Sequence, residues 1–327
     1  MEFLYFLEKL RNPVCDFFFS AITYLGDETA FLLISILVLW CVNKRTGYFI
    51  LVSGLFGTLV NQTMKLACKV LRPWVRDTSF TTVGNSESGA GGFSFPSGHS
   101  QNSVSTFGAL FLTAKKKWFK ILCVVIAILV PVSRMYLGVH TPWDVIAGAA
   151  TALIIIILFD EVCKNDKLFN MLMPYIVGAM LLGSIGFFIY ATLTPVPAES
   201  HNTYEGITSA QRNAKTLLGC ALGLVPVYIL DRFVIKFETG ARWYAQVIKL
   251  VLGVGIVFVI KAFADIPLSA VMGDYERIVR YFVMVVFAGS VWPLTFKWFA
   301  ALEIPALDRL GNRFLCLFRK GAASDKQ

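Results

Sequence analysis

Apolar residues recur along this chain in runs of roughly 20, the length an α-helix needs to cross the ~30 Å hydrocarbon core of a bilayer, and short polar segments separate them. The runs predict nine spans, at 28–42, 46–68, 101–114, 119–139, 142–159, 168–193, 214–230, 243–263 and 277–302. The first and third are short. Residues 4–25 mix apolar and charged positions around Pro13, which suits a helix lying in the membrane plane or re-entering it, and they are not counted as a span. The expected fold class is all-α, a polytopic helical bundle embedded in a membrane. A polar segment over 194–213 suggests two regions: 1–193, with six spans, and 194–327, with three more spans and a tail. No internal repeat interrupts this plan.

Composition supports that picture. Hydrophobic residues make up 56% of the 327 positions and charged residues 16%, with a mean hydropathy of +0.66, a balance well outside that of a soluble domain. Residues 1–12 lack the basic start and clean apolar stretch of a cleavable signal peptide. The net charge of +9 is spread over short loops and forms no single stripe, which argues for a membrane and against nucleic acid as the partner. Of the seven cysteines, Cys41, Cys68, Cys123 and Cys220 lie in or beside apolar segments without paired spacing. They read as small apolar residues, neither disulfides nor metal ligands.

Charge also orients the chain. One set of loop faces holds Lys44, Arg45, Lys115, Lys116, Lys117, Lys120, Lys164, Lys167, Arg232, Lys236 and Arg242, followed by Arg309, Arg313, Arg319, Lys320 and Lys326 of the tail. Positive loops stay inside. The C-terminus is therefore expected in the cytoplasm and the N-terminus outside, in the cell membrane.

Against that rule, a basic cluster falls on the exoplasmic side. Lys65 and Arg72-Pro73 close the second span; a loop of about two dozen residues ends in Pro96-Ser97-Gly98-His99, which opens the third. Ser133-Arg134 closes the fourth span and His140-Thr141-Pro142-Trp143-Asp144 opens the fifth. Lys65, Arg72 and Arg134 would repel one another unless an anion sat between them, and planar Arg forks match phosphate oxygens. Ser97 and Gly98 open a helix, whose free N–H groups favour an anion. Two of the three histidines, His99 and His140, lie in this cluster. Asp144 follows His140 by four residues and can share its helix face, fixing the ring tautomer and leaving the other nitrogen as a nucleophile. His99 is then available as the acid that protonates a leaving alkoxide.

These residues resemble the three signature motifs of the type-2 phosphatidic-acid phosphatase superfamily. The pattern is Lys and Arg-Pro with six residues between them, then Pro-Ser-Gly-His, then Ser-Arg followed by His and Asp, and the match spans residues 65–144. The resemblance implies a phosphohistidine on His140 and His99 as acid and then base. It implies a phosphate cradle of Lys65, Arg72, Ser97, Gly98 and Arg134, with no metal and no cofactor. An outside N-terminus with nine spans is similar in layout to glucose-6-phosphatase and sphingosine-phosphate phosphatase. The substrate implied is a lipid phosphate or diphosphate: phosphatidate, phosphatidylglycerophosphate, a polyprenyl diphosphate or a sphingoid phosphate. A soluble sugar phosphate, a phosphotransfer to another acceptor, and a non-catalytic anion-binding or transport role remain open alternatives.

Other features read as structural. Asp27 and Glu28 suit a helix N-terminus, and His201 a surface position. Gly84, Gly89, Gly91 and Gly92 suit a lid or spacer. Lys249 and Lys261 are expected to snorkel from the eighth span, and the last three spans to lack ionisable pairs that would mark a transport path.

Overall fold

Short polar side chains at the segment junctions decide where helices begin. The computed structural model describes residues 1–197, 201–263 and 273–309, and all their regular structure is helical. Asn12 opens α2 (Pro13–Thr23), its side chain accepting from Cys15 N at 3.0 Å, after α1 (Glu2–Lys9). Asp27 caps α3 (Glu28–Leu37) through Thr29 N at 2.8 Å, and Asn43 caps α4 (Lys44–Cys68) through Thr46 N at 2.9 Å. Each such side chain satisfies an N–H that the first helical turn leaves without a partner. After the short α5 (Pro73–Arg76), Ser97 opens α6 (Gly98–Thr113), and α7 covers Lys117–Tyr136. Thr141 and Asn165 open α8 (Pro142–Lys164) and α9 (Asp166–Leu193). The remainder comprises α10 (His201–Leu230), α11 (Trp243–Phe263), α12 (Glu276–Val286) and α13 (Phe296–Ala301).

Among the described residues, seven helical segments are long and apolar enough to cross a membrane. An eighth candidate is the bent pair Pro13–Gly26 and Glu28–Val42, which meet at 55°. The N-terminal stretch thus joins the first predicted span as a broken span or re-entrant loop. The third predicted span is α6, only 16 residues long. It packs against α4, α7 and α8, and its Ser100, Gln101, Asn102, Ser103, Ser105 and Thr106 are buried. Helix α6 is not among the helices long and apolar enough to cross a membrane; enclosure by other helices is what would let so polar a segment lie at membrane depth.

Two close approaches bring the reactive motifs together. A Cβ on Gly148 of α8 would lie 2.4 Å from the Ser97 carbonyl oxygen, and one on Gly26 would lie 2.9 Å from that of His99. Only glycine permits either contact. Ser97 N also donates to Asp144 O at 2.8 Å, which ties the start of α6 to the start of α8.

The N-terminal helices brace the loop between the first two motifs. Tyr5 donates to Asp77 Oδ2 at 2.8 Å, Thr81 N to Glu8 Oε1 at 3.1 Å, and Arg11 Nη1 to Thr81 O at 2.9 Å. Phe3, Phe6, Phe17 and Phe18 stay exposed on the same helices.

Packing is continuous across residue 194. Leu59 and Leu66 of α4, Phe187 and Ala191 of α9, and Ile207, Ala210, Ala214 and Leu217 of α10 form one apolar cluster with Phe93. One expectation fails in the later helices. Lys249 does not snorkel: it is 1% exposed, donates to Trp40 O at 2.8 Å and lies 4.3 Å from the ring centre of Phe296. A carbonyl and an aromatic face replace its hydration. Arg280 pairs with Glu276 at 3.1 Å within the first turns of α12. The tail residues Arg313, Arg319, Lys320 and Lys326 lie outside the described residues.

Candidate active site

Lys65 and Arg72 stand at the end of α4 and just beyond it, and both are buried. Lys65 Nζ donates to Phe93 O at 2.6 Å. Arg72 donates from Nε to Gly92 O at 3.1 Å, from Nη2 to Gly91 O at 2.9 Å, and from Nη1 to Val139 O at 3.0 Å. Gly92 adopts φ +75°, a left-handed conformation that other residues rarely take. The end of the glycine-rich loop is therefore fastened to both cations.

Arg72 Nη1 also lies 2.8 Å from His140 Nε2. A guanidinium only donates, so Nε2 must present its lone pair there and the ring proton must sit on Nδ1. On that side, Asp144 Oδ2 lies 3.5 Å from Nδ1 and Ser94 Oγ lies 3.4 Å from it. Ser94 Oγ in turn donates to Asp144 Oδ2 at 2.7 Å, and Thr141 N donates to the same oxygen at 2.7 Å. Asp144 serves the imidazole and, with Thr141, closes the first turn of α8 as a capping box. His140 is 2% exposed. Burial first, then the positive charges of Arg72, Lys65, Arg134 and His99, hold its pKa well below the ordinary histidine range. Both effects favour the neutral ring, the form a nitrogen nucleophile requires.

Arg134, near the end of α7, is 4% exposed and donates from Nη1 to Thr23 Oγ1 at 2.9 Å, while its Nε has no protein partner. His99 occupies the first turn of α6, within reach of the fields of Arg134, Arg72 and Lys65. Ser97 Oγ accepts from Ser100 N at 3.4 Å. All eight residues singled out from the sequence thus lie around the adjoining ends of α4, α6, α7 and α8. A cavity of about 340 Å³ opens beside Arg72, with Trp74, Glu87, Gly92, Asn202 and Glu205 in its lining, so α10 reaches the rim of the site.

Ser94 and Thr23 escape sequence reasoning. Ser94 sits three residues before the Pro-Ser-Gly-His histidine's own serine, with nothing in its spacing to mark it; Thr23 belongs to the N-terminal stretch read as membrane-associated. Removing the Ser94 hydroxyl leaves Asp144 with one donor fewer. Ser94→Ala is expected to lower kcat by about tenfold, the worth of one hydrogen bond to a charged group, with KM little changed in steady-state assays.

Comparison with known proteins identifies the family. Residues 46–165 match the family model described as PAP2 superfamily, and residues 215–303 match the one described as PAP2 superfamily phosphatase, transmembrane extension. The first match contains all eight residues named above. The chain is 34% identical over 175 residues to phosphatidylglycerophosphatase B of Bacillus subtilis, covering 48% of this chain and 81% of that one. It is 34% identical over 116 residues to undecaprenyl-diphosphatase of Sulfolobus acidocaldarius, covering 35% and 53% of the two chains. Over 273 residues it is 26% identical to sphingosine-1-phosphate phosphatase 1 of Mus musculus, covering 78% and 61%. No solved structure matches the chain. With a core match, an extension match and a relative covered over most of its length, the chain belongs to the PAP2 superfamily and is a multi-pass membrane phosphatase of that family.

Proposed function

We propose that this phosphatase hydrolyses a lipid phosphate or diphosphate through a phosphohistidine on His140, at the exoplasmic face of the cell membrane. The observation that carries the reading is the His140 ring itself. Its Nε2 lone pair faces a guanidinium at 2.8 Å, and its opposite edge faces Asp144.

In the first step Nε2 attacks phosphorus in line with the ester oxygen. The N–P bond forms, the P–O bond breaks, and the alkoxide takes a proton from His99, which carries it once the bound phosphate offsets the three neighbouring cations. Developing charge on the equatorial oxygens is balanced by Lys65, Arg72, Arg134, the Ser97 hydroxyl and the Gly98 N–H. Arg72 turns its Nη1 from Nε2 to a phosphoryl oxygen as the nitrogen engages phosphorus. In the second step neutral His99 takes a proton from water, the oxygen attacks phosphorus, and the P–N bond breaks to release inorganic phosphate and free His140.

The lipid assignment rests on the site's place among the ends of membrane helices and on the relatives, whose names specify phosphatidylglycerophosphate, undecaprenyl diphosphate and sphingosine 1-phosphate as substrates. Residues 1–193 act in this reading as the catalytic unit, and 194–327 as an extension that closes the outer side of the site through α10, with its C-terminus in the cytoplasm. A substrate panel on the purified full chain tests it. Release of phosphate is expected from phosphatidylglycerophosphate, polyprenyl diphosphate or sphingoid phosphate in mixed micelles, unchanged by a chelator. Turnover confined to glucose phosphates would replace the lipid assignment with the sugar-phosphate one.

A further inference from the structure

Asn61 lies on α4, four residues before Lys65 and so on the same helix face, about 6 Å further from the exoplasmic end. Its side chain is 1% exposed. Neither its Nδ2 nor its Oδ1 has a hydrogen-bond partner, and among the described residues no other side chain has two buried polar atoms in that condition. A buried amide without partners costs stability, and an apolar residue of similar size would avoid that cost.

The amide is aimed at the phosphate cradle. A Cβ placed on Gly98 would meet only one atom within 4 Å, Asn61 Oδ1 at 3.9 Å. The space beside Gly98 is therefore open, and Asn61 bounds it. Gly98 and His99 form the open first turn of α6, because the Ser97 cap takes up Ser100 N and leaves their N–H groups to face outward from the helix end. An oxygen in this space has a helix N-terminus on one side, the amide on another, and Lys65 one turn above.

We infer that Asn61 contacts the substrate, its amide NH2 donating to a non-bridging phosphoryl oxygen held between Lys65 and the start of α6. A carboxamide rotates by half a turn to present nitrogen in place of oxygen at little cost, so the donor can face the anion. The donor is neutral. It adds a directed hydrogen bond to a cradle otherwise built from cations and backbone, and its benefit rises as charge grows on that oxygen.

The inference rests on the phosphatase reading, and the test separates the two. Purified full-length wild type, Asn61→Leu and Asn61→Ser are assayed for lipid-phosphate hydrolysis, for inhibition by orthovanadate and inorganic phosphate, and for thermal unfolding. Asn61→Leu is expected to raise the orthovanadate inhibition constant by about 10- to 100-fold and to lower kcat with it, while the unfolding temperature holds or rises. A purely structural amide predicts the reverse: inhibition unchanged and unfolding temperature lowered. Unchanged vanadate affinity in an active Asn61→Leu protein overturns the inference and leaves the phosphatase reading standing. Should Asn61→Leu fail to fold, Asn61→Ser decides by the same constant, since its shorter hydroxyl cannot span the same gap. Wild type that neither turns over lipid phosphates nor responds to vanadate would overturn the phosphatase reading itself.

Discussion

Replacing His140 with Ala is expected to lower phosphate release by about 10,000-fold or more, the scale seen when a covalent nucleophile is removed from a site whose other parts act with it. Without Nε2, the ester could react only by direct attack of water, aided by the remaining cations. The fold should survive, because Arg72 keeps its bonds to the carbonyls of Gly91, Gly92 and Val139. Rapid-quench assays with a labelled lipid phosphate should show a base-stable, acid-labile phosphoprotein in wild type and none in the variant. A folded Ala variant that retains turnover within about tenfold of wild type would remove His140 from the nucleophile's role.

Asp144→Asn is expected to reduce kcat by about 1,000- to 10,000-fold, the scale found when a histidine's carboxylate partner becomes an amide and the tautomer is no longer held. Asp144 Oδ2 now accepts from Thr141 N and Ser94 Oγ, both at 2.7 Å, and faces His140 Nδ1 at 3.5 Å. An amide can satisfy the Thr141 N–H or supply an acceptor toward the ring, but its NH2 must then meet one of the donors. Placed toward Nδ1, that NH2 favours the tautomer with the lone pair on Nδ1, which takes the nucleophilic pair away from phosphorus. Helix α8 should keep its start, because Thr141 still caps it. The measurement is the rate of phosphoenzyme formation in a single turnover, with substrate affinity as control. A formation rate reduced less than tenfold, with α8 intact, would mean that the carboxylate serves the helix cap alone.

Much of this architecture is legible along the chain for a local reason. The polar caps at Asn12, Asp27, Asn43, Ser97, Thr141 and Asn165 act within three residues of themselves, so sequence order displays them. Apolar length is equally local, and seven long helices plus one bent pair answer to the nine runs read from it. The remaining run, α6, is short and polar because other helices line it. That is a property of its neighbours. The same limit explains Lys249, whose charge is met by Trp40 and Phe296, residues far from it in sequence.

The chain alone settled the class of fold and the chemical kinds gathered in the site, because spans, caps and closely spaced motifs are written over a few helical turns. Tertiary structure alone decided which ring nitrogen carries the lone pair, that Ser94 bridges toward Asp144, that Thr23 holds Arg134, and that Asn61 faces Gly98. Each of those pairings joins residues 37 to 111 positions apart or depends on a third group between them. Direction and distance between such groups exist only once the helices have packed.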